Sequence, residues 1–327
     1  MRDSNFLTNF INALYQKIKK RSLLVSFISE TLEIERESAS RRLNGSVNFS
    51  VEEMGILSLK LGISLDGLLF SNGEHFHFPS FTMYSPMQAK SLSTLTLGIE
   101  ADLIFLSDII LSEPTEYGSM FTFLPLHFLM PYHSLLKFIY FKWGYYYMGT
   151  ADFDNYGDWE IPKDLSRLSD KTLYLCNKIE RMTYIWDCSA IWSFVNDIMY
   201  FASIGSLNNN DLKLIKDDLH SMLYQFEEML KGTHSTLFGL KDVEIYISEV
   251  SLGACFSYHI SKDKWCSNFH TYFVGTGYNE DYNTTMQLRD WMNSMKKICS
   301  LISGSGIRER KRFFYQQHSI VDTISVE

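Results

Sequence analysis

At 327 residues and 46% hydrophobic content, the chain is long enough for two domains with separate cores and too apolar for a disordered tail. Its five cysteines (Cys176, Cys188, Cys255, Cys266, Cys299) are odd in number and include no C-x-x-C pair, which argues against a disulfide scaffold or a zinc site and fits a reducing cytoplasm. The net charge of −8 is unevenly spread: residues 1–72 hold nine Lys/Arg against eight Asp/Glu and the remainder 21 against 30, so an acidic body follows a near-neutral start with a basic run at Lys17, Lys19, Lys20 and Arg21.

The opening Met-Arg-Asp-Ser-Asn-Phe-Leu-Thr-Asn lacks the apolar run of a signal peptide. Leu7, Phe10, Ile11, Leu14 and Ile18 share a face and predict a first helix. Leu24, Phe27, Ile28 and Leu32 repeat that spacing in a second, and about three residues later Glu35-Arg-Glu-Ser-Ala-Ser-Arg-Arg-Leu-Asn-Gly45 predicts a third that ends in a glycine stop. At about 100° per residue, Ala39 and Leu43 form its single apolar stripe. Glu37, Arg41 and Asn44 then point outward, Ser38 and Ser40 lie on the shoulders, and Arg36 and Arg42 flank the stripe. Such a face can hydrogen-bond base edges. Ser50 and Glu53 have capping-box spacing and Phe49 and Met54 that of a hydrophobic staple, so a fourth helix starts at Val51 and stops at Gly62. Ser64 then caps a fifth carrying Leu65, Leu68 and Leu69.

On those residues, Arg21 to Phe70 resembles the five-helix, lambda-repressor-like DNA-binding domain of phage-repressor and Cro-type regulators, in the variant common in Bacteroidetes regulators. Residues 35–45 match its recognition helix, and Leu-Gly-Ile-Ser-Leu-Asp-Gly-Leu-Leu, 61–69, its closing helices. The family often has Gln at the starts of helices 2 and 3, where this chain has Ser22 and Glu35 or Arg36. The resemblance implies docking on double-stranded DNA. Arg36, Glu37, Ser40 and Arg41 are then expected to read bases, and Lys19, Lys20, Arg21, Ser22, Arg42 and Asn44 to contact phosphates.

Residues 1–72 are thus expected as the DNA-binding domain, 73–86 as a connector without helical period, and 87–327 as an effector or dimerisation domain, helical over 87–240 and α+β over 241–327. The overall class expected is mainly α with a small antiparallel sheet at the end. A long helix is read from Met87 to Leu111. The apolar stretch Phe121 to Phe141 is broken by Pro125, His127, Pro131, His133 and Lys137, so two buried helices are read there and no membrane span. Further helices are expected over Lys163–Trp186 and Ile191–Ala202. Leu212, Ile215, Leu219, Met222, Phe226 and Met229 then recur at spacings of three and four, which fits either a core helix or a dimerisation helix. Strands are read at 243–250, 254–260 and 265–274, with Lys262-Asp263 as a tight turn, and helices at 282–302 and 308–320. The many aromatics read as a large core or, more sharply, as the lining of a small-molecule pocket.

No P-loop, Rossmann or G-x-S-x-G signature is present, and His75 and His77 have no acidic or cysteine partner at ligand spacing. No cofactor, metal or catalytic centre is therefore expected. The small-residue turn Ser303-Gly304-Ser305-Gly306 feeding Arg308 could offer backbone N–H groups to an anion, or be an ordinary joint between helices. This turn, Phe138–Trp143 and Tyr184–Asp187 look like the effector half of the same regulators, which implies a partner domain and no particular ligand. The expectation is a cytoplasmic, sequence-specific transcriptional regulator, acting as a homodimer with a small-molecule or protein effector. The alternative is an enzyme or protein-interaction module that carries a DNA-binding domain for self-regulation or targeting.

Overall fold

The computed structural model describes residues 4–63, 65, 68, 82–83, 91–110, 115–232, 242–271 and 275–326. The chain forms two compact units, Met1–Ser80 and Phe81–Glu327. Their boundary falls inside the stretch read as a connector. Most of that stretch, with Ser64, Leu69, His75, His77 and residues 84–90, lies outside the described residues.

In the first unit, α1 (Ser4–Lys17), α2 (Arg21–Leu32), α3 (Arg36–Leu43) and α4 (Val51–Leu61) surround a core of Phe10, Leu14, Leu24, Ile28, Ala39, Leu43, Phe49 and Leu57. The capping box forms: Glu53 N–H donates to Ser50 Oγ and Ser50 N–H to Glu53 Oε2. Gly62, at φ 63°, ends α4 in the left-handed region. Of the expected fifth helix, only Leu65 and Leu68 are described; both are helical and pack on this core.

The second unit departs further from the sequence reading. It is built on an eight-stranded mixed sheet, not a small antiparallel one at its end. In chain order its elements are β1 (Thr82–Met83), α5 (Leu92–Ile110), β2 (Glu116–Phe121), α6 (Leu126–Leu129), α7 (His133–Tyr147), α8 (Lys163–Cys176), β3 (Arg181–Asp187), α9 (Ala190–Ser203) and α10 (Asn209–Leu230). These are followed by β4 (Asp242–Ser248), β5 (Cys255–Ile260), β6 (Trp265–Thr271), β7 (Gly275–Asn279), α11 (Tyr282–Met295), β8 (Ser300–Leu301) and α12 (Ile307–Asp322). The sheet order is β1-β7-β6-β5-β2-β3-β4-β8. β2, β3 and β4 run parallel, joined by helical crossovers, and the β5–β6–β7 meander adds antiparallel strands to the β2 side. The helical crossovers leave helix predominant in the chain, with a mixed sheet at the centre of the second unit.

Alternation along the strands separates the two faces. Tyr117, Met182, Tyr184, Trp186, Ile245 and Ile247 join the main core with α5 to α10 and α12, while Met120, Ile185 and Tyr258 pack with Met292 of α11. Glu116 ties α11 to that second face, accepting from Arg289 Nε and Nη2 at 2.7 and 2.8 Å and from Tyr258 OH at 2.8 Å.

Several elements differ from the sequence expectations. The helix over Lys163–Trp186 stops at Cys176, and Arg181–Asp187 is a strand, buried from Met182 onward because both of its faces are covered. Part of the connector, Thr82–Met83, pairs with Tyr278 and Gly277 as an edge strand. The helix expected over 282–302 ends at Met295, and Ser300–Leu301 pairs with β4. The heptad-like stripe on α10 is a core stripe, for Leu212, Ile215, Leu219, Met222 and Phe226 are all buried within the second unit.

Candidate nucleic-acid interface

The joint between α2 and α3 is set by one residue. Glu33 has φ 54°, the only left-handed non-glycine among the described residues. Its N–H bonds Ser29 O, Ile34 N–H bonds the same carbonyl, and Ser29 Oγ donates back to Ile34 O at 2.6 Å. The turn is therefore three residues long, and α3 leaves α2 at a fixed angle. A glycine pays no Cβ penalty there, so Glu33→Gly is expected to raise the unfolding free energy of the first unit by about 0.5–1 kcal/mol. Glu33→Val should lower it by at least as much. Denaturant unfolding of both variants checks this, and a destabilised Glu33→Gly would contradict it.

Around α3 the side chains fall into strips with different employment. Ala39 and Leu43 are buried. On one flank, Arg42 donates from Nε and Nη2 to the two oxygens of Glu53, at 3.0 and 2.8 Å, and from Nη1 to Ser38 Oγ at 2.9 Å. This planar, two-point pair locks α3 to the capping box of α4, and the guanidinium holds the Glu53 carboxyl below its usual range. Arg42, expected on a phosphate, has its guanidinium in these contacts within the unit. On the other flank, Arg21 at the start of α2 donates to Tyr15 OH of α1 at 3.0 Å, to Ser40 Oγ at 3.2 Å and to Asn44 Oδ1 at 2.7 Å. Ser40 and Asn44, expected to read a base and hold a phosphate, both accept from Arg21 here. Three of its five N–H groups are committed.

What remains outward is Arg36, Glu37 and Arg41, all exposed. Glu37 and Arg41 form an i,i+4 pair at 2.6 Å, with side chains 72% and 62% accessible. Such an exposed pair is worth under about 1 kcal/mol, so Arg41 is free to exchange it for a stronger acceptor. Lys19, Lys20 and Ser22 are also exposed, and α2 begins on Lys20 without a side-chain cap. Leu23 N–H bonds Lys20 O, and no side chain caps the N–H groups of Arg21 and Ser22 before it, which suits an anion. Tyr15 and Glu53 had no visible part in this surface at sequence level; nothing in local spacing ties Glu53 to Arg42, eleven residues away.

The turn proposed for anions is otherwise employed. Gly304 N–H donates to Leu230 O, Gly306 N–H to Ser303 O, and Ile307 N–H to Ser305 O. Ser303 Oγ accepts from Ile245 N–H, and buried Arg310 donates to the carbonyls of Ile302 and Gly304. Arg308 points to solvent. The turn is therefore a joint that closes α12 onto the sheet edge and α10.

Many aromatics of the second unit pack as core: Trp186 stacks on Phe226 at 5.0 Å, with Phe128 edge-on to both, while others, Tyr174, Trp192 and Tyr315 among them, are exposed. An open groove of about 390 Å³, lined by Asp152, Phe153, Asp158, Trp159 and Glu160 among others, lies at the surface of this unit. No helix among the described residues is long and apolar enough to cross a membrane, and none of them form a cluster of three or more potential metal ligands.

No family model, curated protein or solved structure matches this chain. The functional reading therefore rests on the geometry of α1 to α4 and on the sequence pattern that produces it.

Proposed function

We propose that the chain is a sequence-specific, double-stranded-DNA-binding transcriptional regulator, with α3 as the helix that enters the major groove. The observation that carries the reading is the sorting of side chains on α3: both flanks are tied down by Arg42–Glu53 and by Arg21, leaving Arg36, Glu37 and Arg41 presented on a rigid helix. Preorganised presentation of that kind suits base reading, and Arg is the side chain best matched to guanine O6 and N7. The uncapped start of α2, with Lys19, Lys20 and Ser22 exposed beside it, suits a phosphate.

One such module covers a short half-site, so the working form is a homodimer on two half-sites about 34 Å apart. The second unit supplies the dimer contact, or the site for a small-molecule or protein effector. Its dimer contact is not the buried stripe of α10.

Arg41→Ala tests base reading. It is expected to weaken binding to the selected duplex by about 5- to 150-fold, 1–3 kcal/mol, with little change on random DNA. Equal loss on both would make Arg41 a phosphate contact and remove it from the readout.

A further inference from the structure

α10 and α12 run antiparallel: Arg310 Nη1 reaches Leu230 O at one end, and Lys216 Nζ reaches the carbonyls of Asp322 and Ile324 at the other. Near that second end, residues 216 and 220 of α10 and 318 and 322 of α12 are each one turn apart and share the contact face. His220 Nδ1 lies 2.7 Å from His318 Nδ1. The ring planes are within 11° and the ring centres 5.0 Å apart, the greatest separation such an N···N distance permits. The rings therefore meet edge to edge with both nitrogens on the line between their centres, which is the geometry of a linear N–H···N hydrogen bond. A chelated metal needs lone pairs that converge at an angle, with about 2.0–2.1 Å to each nitrogen, so these head-on nitrogens hold a proton and not an ion.

The protons can be counted. His220 Nε2 is 3.2 Å from Asp322 Oδ1, so its hydrogen sits there and its Nδ1 accepts from His318 Nδ1–H. One added proton goes to His318 Nε2 and leaves the bridge intact. A second would have to occupy His220 Nδ1, where it would face the His318 N–H and place two imidazolium charges against each other. We propose that His220 and His318 form a proton-counting clasp, which holds the end of α12 on α10 with none or one added proton and opens with two.

The charged groups around the pair are Lys216 and Glu227 on α10 and Asp322 on α12. α9, the other helix packed on α12, buries an apolar face of Ile191, Phe194, Val195 and Ile198. Burial and the neighbouring His220 hold the His318 proton affinity below its ordinary value, against the pull of Glu227 and Asp322. Because the folded pair resists the second proton more than the unfolded chain does, its stability is present above the unfolded histidine value, 6.5, and is lost as the pH falls below it.

The inference is independent of DNA binding and is tested on the full chain by hydrogen exchange of the peptide spanning residues 315–326, corrected for intrinsic rates. Between pH 7.5 and pH 5.0 this peptide is expected to open about tenfold more in the wild type, relative to peptides from β3 and β4. In His318→Gln the amide N–H can still donate to His220 Nδ1 but takes up no proton, so the rise should vanish. A rise of equal size in His318→Gln, or none in the wild type, overturns the clasp. Ring NMR of the wild type gives a second readout: the clasp requires one of the two histidines to titrate well below the other, and two independent steps at ordinary values contradict it.

Discussion

Leu219→Glu should abolish the fold of the second unit and not yield a soluble, folded monomer. Leu219 is 0% exposed in the middle of α10, within the cluster that α10 shares with α7, α9, α12 and the sheet. Replacing it removes the leucine packing and forces a carboxyl into an apolar site, a combined cost of more than about 4 kcal/mol and enough to unfold a domain of ordinary stability. Leu214→Glu on the same helix, at a side chain 51% exposed, should stay within about 0.5 kcal/mol of wild type. Circular dichroism and thermal melts of the two variants decide the matter. A folded Leu219→Glu monomer would return α10 to the role of a dimer interface.

The second large effect is expected at Arg42. Its side chain and that of Glu53 are 16% and 19% accessible, and their paired hydrogen bonds join α3 to the capping box of α4. Arg42→Ala leaves the Glu53 carboxylate half-enclosed without its guanidinium, which should destabilise the first unit by about 2–3 kcal/mol. The wild-type pair also has a pH signature. Since Arg42 lowers the Glu53 pKa on folding, the stabilisation is present above the unfolded value, 4.5, and lost as the pH falls through the lowered folded one. The steep acid loss of stability should therefore flatten in Arg42→Ala. If Arg42→Ala instead keeps full stability and only weakens DNA binding with a reduced salt slope, Arg42 is a phosphate contact and the latch is wrong.

These cases show where the sequence was legible and where it was not. α1 to α4 could be read because each carries local signals, such as Ser50 with Glu53 and Gly62, and the apolar spacing of α2. β2 and β3 could not. A strand covered on both faces has no alternation, so Arg181-Met-Thr-Tyr-Ile-Trp-Asp187 passes for the end of the helix before it, and Glu116–Phe121 merges with the apolar run that follows. The stripe on α10 has the three-and-four spacing that core helices and coiled coils share, and only burial separates the two. On α3, the wheel points Arg41 outward and sets Arg42 beside the apolar stripe, but it leaves both as candidates for DNA. The partner that distinguishes them is Glu53, on another helix. The turn at Ser303–Gly306 looked free in sequence because the acceptor of Gly304 N–H, Leu230 O, and the donor to Ser303 Oγ, Ile245 N–H, come from distant segments.

The most direct test of the central claim is selection of duplexes by the full-length protein from a randomised library, read by sequencing and repeated with a variant in which Arg36 and Arg41 are both alanine. The account predicts one recurrent motif, present as two half-sites about one helical turn apart. Its affinity should exceed that for random DNA by at least about 10³-fold at physiological salt, and the double variant should lose most of that ratio while retaining salt-dependent nonspecific binding. No enriched motif, or a motif enriched equally by the double variant, would contradict it.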